Sequence, residues 1–388
     1  MQYRAFGKLD WRPSALGFGA MRLPVTNGDL GQIDEAEATR MVRAAIDGGI
    51  NYLDTAYPYH RETSESFLGR ALKDGYRERV KLATKLPCWL VKKPADFDRY
   101  LNEQLARLDT PRIDFYLLHG LNSTRWPAMR DLGVLDWAEK AMVAGRIGHL
   151  GFSFHDTYET FQEIVDAYDG WAFCQIQYNY LDEEHQAGTR GLKYAADKGL
   201  GVVVMEPLRG GLLAGNAGQH QGRGVPAPIR ALWDTAPVKR GPAEWALQWV
   251  WNQPEVSLIL SGMSTLAQVQ ENLASASRSA PGLLTAAELA LVARVCEMYR
   301  QLAPIPCTDC KYCLPCPNGV NIPHVFDVYN QAMMFEAPEH ARFVYANWVP
   351  EAERGDKCIA CGECETKCPQ HIAIIEWLEK ADRYLTAG

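Results

Sequence analysis

Eight of the eleven cysteines in this 388-residue chain lie between positions 307 and 368. They form two short runs, CTDCKYCLPCP (307–317) and CIACGECETKCPQ (358–370). The first residues, MQYRAFGKLDWRPS, lack the apolar run of a secretion signal, so we expect a reducing compartment. In such a compartment, clustered thiols are more often metal ligands than disulfides. The two runs therefore predict metal-binding chemistry.

The spacing of the second run is Cys-x2-Cys-x2-Cys-x3-Cys-Pro, and the first run differs only by a last gap one residue shorter. This is the spacing of bacterial ferredoxins, and the two runs together resemble a ferredoxin with two [4Fe–4S] clusters. In that arrangement the fourth cysteine of each run serves the other cluster. The resemblance implies one cluster on Cys307, Cys310, Cys313 and Cys368, and a second on Cys358, Cys361, Cys364 and Cys316. Zinc is the alternative, because paired CxxC motifs also bind it.

A second set of chemically useful side chains lies far from the cysteines. Asp54, Lys85 and His119 each follow or end a short apolar run, and Tyr59 comes five residues after Asp54. A nearby ammonium group stabilises a phenolate and lowers the tyrosine pKa, and an aspartate can hold that ammonium in place. A histidine can orient a carbonyl oxygen beside the phenol. The set predicts a general acid that protonates a carbonyl while hydride arrives; taken singly, each residue has a structural alternative, such as a helix N-cap for Asp54.

These groups need a scaffold that brings several strand ends together. The chain alternates amphipathic segments, such as 34–47, 94–108 and 242–253, with eight short apolar runs. Strand–helix alternation indicates a parallel sheet, and eight repeats favour a (β/α)8 TIM barrel of the α/β class, with its site at the carboxyl ends of the strands. A doubly wound sheet is the alternative, but no G-x-G-x-x-G follows the first strand. The predicted strands are ALGFG, INYLDT, VKLATK (80–85), IDFYLLH (113–119), IGHLGFS (147–153), FCQIQYN (173–179), GVVVMEP (201–207) and VSLILSG (256–262).

Three regions follow from this pattern. We predict a barrel over residues 1–280, a connecting helix over 281–302, and a small, mostly helical, ferredoxin-like iron–sulfur domain over 303–388. The segment 209–241 is rich in glycine and proline, and we expect it to form a long loop over the barrel mouth.

The barrel region resembles the aldo-keto reductases in successive motifs: GGINYLDTAYPY, LATKL, DFYLLHG, IGHLGFS, QIQYNYL and GMSTLAQVQEN. The resemblance implies that Tyr59 is the proton donor and that Lys85, Asp54 and His119 complete a catalytic tetrad. It also implies an NAD(P)(H) cofactor, with Ser153 and Gln175 on the nicotinamide carboxamide. Further cofactor contacts are implied at Met205, at Pro207, Leu208, Arg209 and Gly211 along the pyrophosphate, and at Gly262, Gln268, Glu271 and Asn272 near the adenine.

The chain departs from the family pattern in three ways. Phe154 stands where the family usually has asparagine, and Met205 stands where an aromatic ring usually stacks on the nicotinamide. The positions that usually bind the 2′-phosphate are uncharged, so no Coulombic attraction selects NADP over NAD. These departures leave a flavin open as an alternative cofactor.

Composition indicates which classes of partner the protein does not attract. The formal net charge is −7 and the sequence pI is about 5.8, which gives no attraction to nucleic acid or to an anionic membrane. No apolar stretch reaches the roughly 20 residues of a membrane helix. We expect a cytoplasmic protein with a small carbonyl or alcohol substrate, and a redox partner protein is a further expectation.

Two functions fit the sequence. In the first, the barrel interconverts a carbonyl and an alcohol while the clusters exchange electrons with it or with a partner. In the second, the barrel works alone and the cysteine-rich region is a structural or electron-transfer docking module.

Overall fold

A computed structural model of the chain describes residues 1–215, 224–307 and 310–387. Eight parallel strands form one closed barrel in which each strand pairs with the next and β8 pairs with β1. This confirms the predicted (β/α)8 barrel and excludes the doubly wound sheet. The strands are β1 (Leu16–Gly19), β2 (Tyr52–Asp54), β3 (Lys81–Leu86), β4 (Ile113–Leu121), β5 (Ile147–Phe154), β6 (Phe173–Gln177), β7 (Gly201–Met205) and β8 (Leu258–Ser261).

Helices occupy the segments between the strands, and five more follow residue 285 within the described residues. Those before residue 285 are α1 (Glu35–Asp47), α2 (Ser64–Ala71), α3 (Ala95–Arg107), α4 (Arg125–Asp131), α5 (Val134–Val143), α6 (Tyr158–Asp166), α7 (Gly188–Asp197), α8 (Ala227–Trp233), α9 (Pro242–Trp251) and α10 (Leu266–Ser277). Those that follow are α11 (Ala286–Leu302), α12 (Ile322–Met334), α13 (Pro338–Trp348), α14 (Glu363–Lys367) and α15 (Ile374–Thr386). No helix in the described ranges is long and apolar enough to cross a membrane.

The strand register determines which side chains share a level of the barrel. Asp54 in β2 is opposite Ala83 in β3, and Ser153 in β5 is opposite Gln175 in β6. Gln177 in β6 is opposite Met205, the last residue of β7. The polar residues at the carboxyl ends of these strands therefore lie at neighbouring positions around one rim, as expected for a barrel active site.

The contact pattern divides the chain into two compact units. The first contains Met1–Leu208 and Glu244–Thr285, and the second contains Arg209–Ala243 and Ala286–Gly388. The predicted boundaries at residues 280 and 302 stay predictions. The segment after β7 belongs to the unit that carries the cysteine runs. The core of that unit is formed by α12, α13 and α15, with buried Ile305, Val320, Phe326, Tyr345 and Leu378, and six of the clustered cysteines pack against it.

The segment 209–241 corrects one expectation. Instead of being a loop throughout, it contains a short 3-10 segment, Arg209–Ala214, and the two-turn helix α8. Helix α8 follows Pro226, and it buries Ile229 and Trp233, which supply the apolar face that the high glycine and proline content concealed. Residues 216–223 of this segment lie outside the described residues.

Candidate active site and cluster ligands

A buried ion pair joins the ends of β2 and β3. Lys85 Nζ donates hydrogen bonds to Asp54 Oδ1 at 2.6 Å and to the Thr55 carbonyl oxygen at 2.8 Å. The two charged side chains are only 1% and 3% exposed. Burial lowers the pKa of Lys85, but the interactions with Asp54 and the Tyr59 hydroxyl raise it by more, so the pKa of Lys85 is raised overall. The ammonium is therefore charged and held at one place, as the predicted tetrad requires.

Tyr59 lies beside this ammonium. Lys85 Nζ is 5.1 Å from the centre of the Tyr59 ring, and the tyrosine is partly buried. Burial raises the pKa of Tyr59, while Lys85 acts in the opposite direction without overcoming it. The expectation that the lysine lowers the tyrosine pKa overall is therefore wrong. Desolvation destabilises the phenolate by more free energy than the nearby cation stabilises it. The phenol stays protonated at neutral pH, which is the form that a proton donor needs.

His119 completes the predicted set from the end of β4. Its ring meets the Tyr59 ring edge-to-face at a centroid distance of 6.3 Å, and it meets the Trp89 ring at 5.1 Å. Burial, together with the nearby charge of Lys85, lowers the pKa of His119 well below its usual value. Within the described residues, its Nδ1 atom has no hydrogen-bond partner. A neutral imidazole with an unused nitrogen suits hydrogen bonding to a ligand beside the Tyr59 hydroxyl.

The amide side chain of Gln175 suits the nicotinamide carboxamide. Gln175 Nε2 donates to the Met205 sulfur at 3.4 Å, whereas its buried Oε1 has no partner in the described parts of the chain. Ser153 Oγ accepts a hydrogen bond from the Gly120 backbone at 2.8 Å. A buried amide oxygen without a donor costs free energy unless a ligand supplies one, and a carboxamide NH2 would supply it. The residues of β5 and β6 therefore fit a nicotinamide.

Phe154 does not point toward these groups. Its ring is fully buried and packs against Phe161 of α6 at 5.2 Å. Successive side chains of a strand point to opposite faces, so Phe154 takes the helix-facing side while Ser153 takes the other. The residue that replaces the usual asparagine is therefore part of the core between the barrel and α6, and does not line the site.

The predicted adenine contacts lie at the turn between β8 and α10. Gln268 Oε1 accepts a hydrogen bond from the Ser264 backbone at 2.8 Å, and Asn272 Nδ2 donates to Ser261 Oγ at 3.0 Å. Glu271 is exposed on α10, and Gly262 is exposed beside the Arg22 side chain. These side chains share one turn, and Gln268 and Asn272 help to form it.

The segment after β7 has unusual backbone geometry. Glu206 and Arg209 adopt positive φ angles of 53° and 47°, and Gly211 has a φ of 101°. Pro207 is buried and Leu208 partly buried, both in the first unit, whereas Arg209 and Gly211 belong to the second. There the Arg209 guanidinium is 3.5 Å from Asp327 of α12. Non-glycine residues at positive φ are strained and concentrate at functional sites.

Three side chains near the tetrad were not singled out from the sequence. Arg22, three residues after β1, is close enough to Tyr59 and Glu206 for their charges to affect its pKa, which burial lowers. Trp89 contacts His119, and the Arg125 guanidinium is 5.7 Å from the centre of the Trp89 ring. Each follows a strand end by a few residues, so the rule that barrel sites are built from these connections could have found them.

The clustered cysteines surround two cavities in the second unit. Cys313 borders both cavities, whose empty space, including the open solvent at their mouths, is about 370 and 330 Å³. No group of three or more Cys, His, Asp or Glu side chains in the described ranges is arranged around a single metal ion. Apolar side chains such as Ile322 complete the lining, as suits a multi-atom group held by thiolates. One cavity is lined by Cys313, Cys316, Cys358, Cys361 and Cys364, and the other by Cys307, Cys310, Cys313 and Cys368.

Comparison with known proteins identifies two domains in the chain. Residues 15–282 match the model of the aldo/keto reductase family, and residues 306–373 match the 4Fe-4S dicluster domain. The uncharacterized oxidoreductase YrpG of Bacillus subtilis is 30% identical over 242 residues, which cover 56% of this chain and 69% of that protein.

Two solved structures resemble the fold. The holo form of aldo-keto reductase AKR11C1 from Bacillus halodurans has a TM-score of 0.61 and 27% identity, and the match covers 76% of this chain and 96% of that one. An aldo-keto reductase from Klebsiella pneumoniae in complex with NADPH has a TM-score of 0.60 and 26% identity, with 76% and 95% covered. With the barrel, the tetrad geometry and the matched residues in agreement, the chain belongs to the aldo/keto reductase family of oxidoreductases and carries a C-terminal 4Fe-4S dicluster domain.

Proposed function

We propose that the barrel interconverts a carbonyl compound and its alcohol with a nicotinamide cofactor, and that Tyr59 is the acid. The observation that carries this proposal is the buried Lys85 ammonium, which contacts Asp54 on one side and the Tyr59 ring on the other. A charged lysine beside a protonated phenol is the arrangement that general-acid catalysis at a carbonyl oxygen needs.

Each residue has a distinct part in the reduction. The hydride for the carbonyl carbon would come from a reduced nicotinamide, whose carboxamide Gln175 and Ser153 would hold. Tyr59 donates its hydroxyl proton to the carbonyl oxygen, so that hydride and proton together give the alcohol. Lys85 stabilises the phenolate that is left, Asp54 holds Lys85, and neutral His119 orients the carbonyl oxygen.

The cofactor is proposed to be NAD(P)H. Support comes from the Gln175 oxygen, which has no partner among the described residues, and from the Klebsiella pneumoniae relative in complex with NADPH. The turn after β8 presents Gly262, Ser264 and Gln268, none of which is charged, so we expect NADPH and NADH to bind with similar affinity. A flavin is the second candidate, motivated by Met205 in place of the stacking aromatic ring.

The eight clustered cysteines are proposed to hold two [4Fe–4S] clusters. The division of ligands implied by the sequence, with each fourth cysteine serving the other run, is consistent with the two cavities, because Cys368 lines one and Cys316 the other. We further propose that these clusters exchange electrons with the barrel cofactor or with a redox partner.

The second candidate function is a barrel that works alone. A hydride carries two electrons, whereas a cluster passes one, and a nicotinamide does not readily divide the pair. On this alternative, the dicluster domain is a structural or docking module.

Tyr59→Phe is predicted to lower kcat/KM for reduction of an aldehyde such as 4-nitrobenzaldehyde by roughly 10²–10⁴-fold, because only the acidic proton is lost. NADPH affinity, measured by fluorescence titration, should stay within about twofold. Tyr57→Phe is the matched control, since the Tyr57 hydroxyl bonds Glu103 instead. Full activity of Tyr59→Phe would assign the proton to another group.

Anaerobic purification is predicted to yield about eight iron atoms and about eight acid-labile sulfides per chain, as two four-iron clusters require. Cys296→Ala, which changes an isolated buried cysteine, should leave both values unchanged. Stoichiometric zinc without labile sulfide would reject the cluster assignment and favour the zinc alternative.

Anaerobic addition of NADPH is predicted to bleach the iron–sulfur absorbance within one turnover time if barrel and clusters are coupled. The matching variant is Cys361→Ser, which alters an exposed ligand and should lose part of the activity while its circular dichroism and NADPH affinity stay normal. Unchanged absorbance together with full turnover by the folded variant would establish the barrel as working alone.

A further inference from the structure

We propose that the substrate carries a carboxylate group and that Arg125 binds it. This inference rests on the proposed carbonyl chemistry and adds a substrate class to it. It concerns the connection after β4, where Arg125 is the first residue of α4 and lies six residues after His119.

Arg125 is held in place by neutral groups. Its Nη1 donates a hydrogen bond to the Gly120 carbonyl oxygen at 2.9 Å, and the guanidinium lies 5.7 Å from the centre of the Trp89 ring. The Trp89 ring in turn contacts His119 at 5.1 Å. Trp89 therefore lies next to both the guanidinium and the tetrad histidine, which links Arg125 to the reacting end of the site.

Neither of these contacts supplies a negative charge. The ion pairs of the described residues include none with Arg125, although its side chain is partly buried. Partly buried charges are usually paired, because removing them from water is costly. An anionic ligand would offset this cost.

The neighbouring charged groups have partners of their own. Lys85 is paired with Asp54, and Arg22 interacts with Glu206. Burial lowers the pKa of His155, as it does for His119, so both imidazoles are neutral near pH 7. The nearby carboxylates have other partners: Asp156 accepts hydrogen bonds from the Ser123 and Thr157 backbones, and Asp182 from the Gln177 and Asn179 side chains. Within the described residues, Arg125 is thus a cation near His119 that has no anionic partner.

The geometry of a guanidinium favours a carboxylate as that anion. Arginine has five N–H donors, and the one directed at Gly120 leaves others for the paired hydrogen bonds that a carboxylate accepts. The planar group also stacks on an aromatic ring, which is consistent with its position over Trp89. An oxo acid or formyl acid, with the carbonyl at Tyr59 and the carboxylate at Arg125, matches this arrangement.

The test compares 4-carboxybenzaldehyde with its methyl ester as substrates. Arg125→Gln should lower kcat/KM for the acid roughly 10- to 100-fold, the loss typical of a charge-assisted hydrogen bond, and should change the ester less than about threefold. Arg125→Lys, which keeps the charge without the paired donors, should fall between. Arg130→Gln is the matched control, because Arg130 lies on the same helix and pairs with Asp131 on the surface.

A binding measurement separates this inference from the proposed function. Calorimetric titration with benzoate needs no turnover, and Arg125→Gln should weaken binding at least tenfold relative to the unchanged protein and to Arg130→Gln. Equal benzoate affinity in the Arg125 variant, or equal loss of acid and ester turnover, would overturn the inference. Absence of turnover with either aldehyde, with benzoate binding still dependent on Arg125, would instead overturn the carbonyl chemistry.

Discussion

The ion pair between Lys85 and Asp54 is the interaction on which the site depends. Burying two charges costs several kcal/mol per ion, and the cost is offset only when both are paired and hydrogen-bonded. The barrel supplies that setting, because β2 and β3 are adjacent and bring both side chains to the same rim. The ion pair fixes a positive charge beside Tyr59, and the closed barrel adds His119 from the next strand.

Much of the barrel site could be predicted from the sequence because strand ends are local signals. Asp54, Lys85 and His119 each end an apolar run, and closure of the barrel converts those separate positions into neighbours. The direction of the Tyr59 pKa could not be predicted in the same way. It depends on the balance between burial and one cation, and burial is known only once the surrounding side chains are placed. Arg125 and Trp89 lie on the connections after β4 and β3, a few residues beyond the strand ends, so a search limited to the residues that end the apolar runs does not include them.

In the second unit too, features set by nearby residues could be predicted from the sequence, and features set by long-range packing could not. Cysteine spacing is a local property, and it indicated two groups of thiols that the fold places around two cavities. The helix at Ala227–Trp233 was not expected, because glycine and proline dominate its surroundings and only Ile229 and Trp233 show its apolar face. This segment belongs to the same unit as the cysteine runs. That grouping depends on packing between residues far apart in the chain, and no short sequence motif indicates it.

We propose that a protonated Tyr59, next to a charged lysine and a neutral histidine, supplies the proton to the carbonyl oxygen. The most direct measurement is the pH dependence of kcat/KM for carbonyl reduction. The active form of Tyr59 is the protonated one, and its pKa is raised above the usual value near 10, so activity is present below that pKa and lost as the pH rises through it. The pKa of His119 is lowered, so its neutral form persists across the neutral range. We expect a level profile from about pH 7 to 9 and a decline only above about pH 10. A decline through neutral pH, with an apparent pKa near that of histidine, would contradict it.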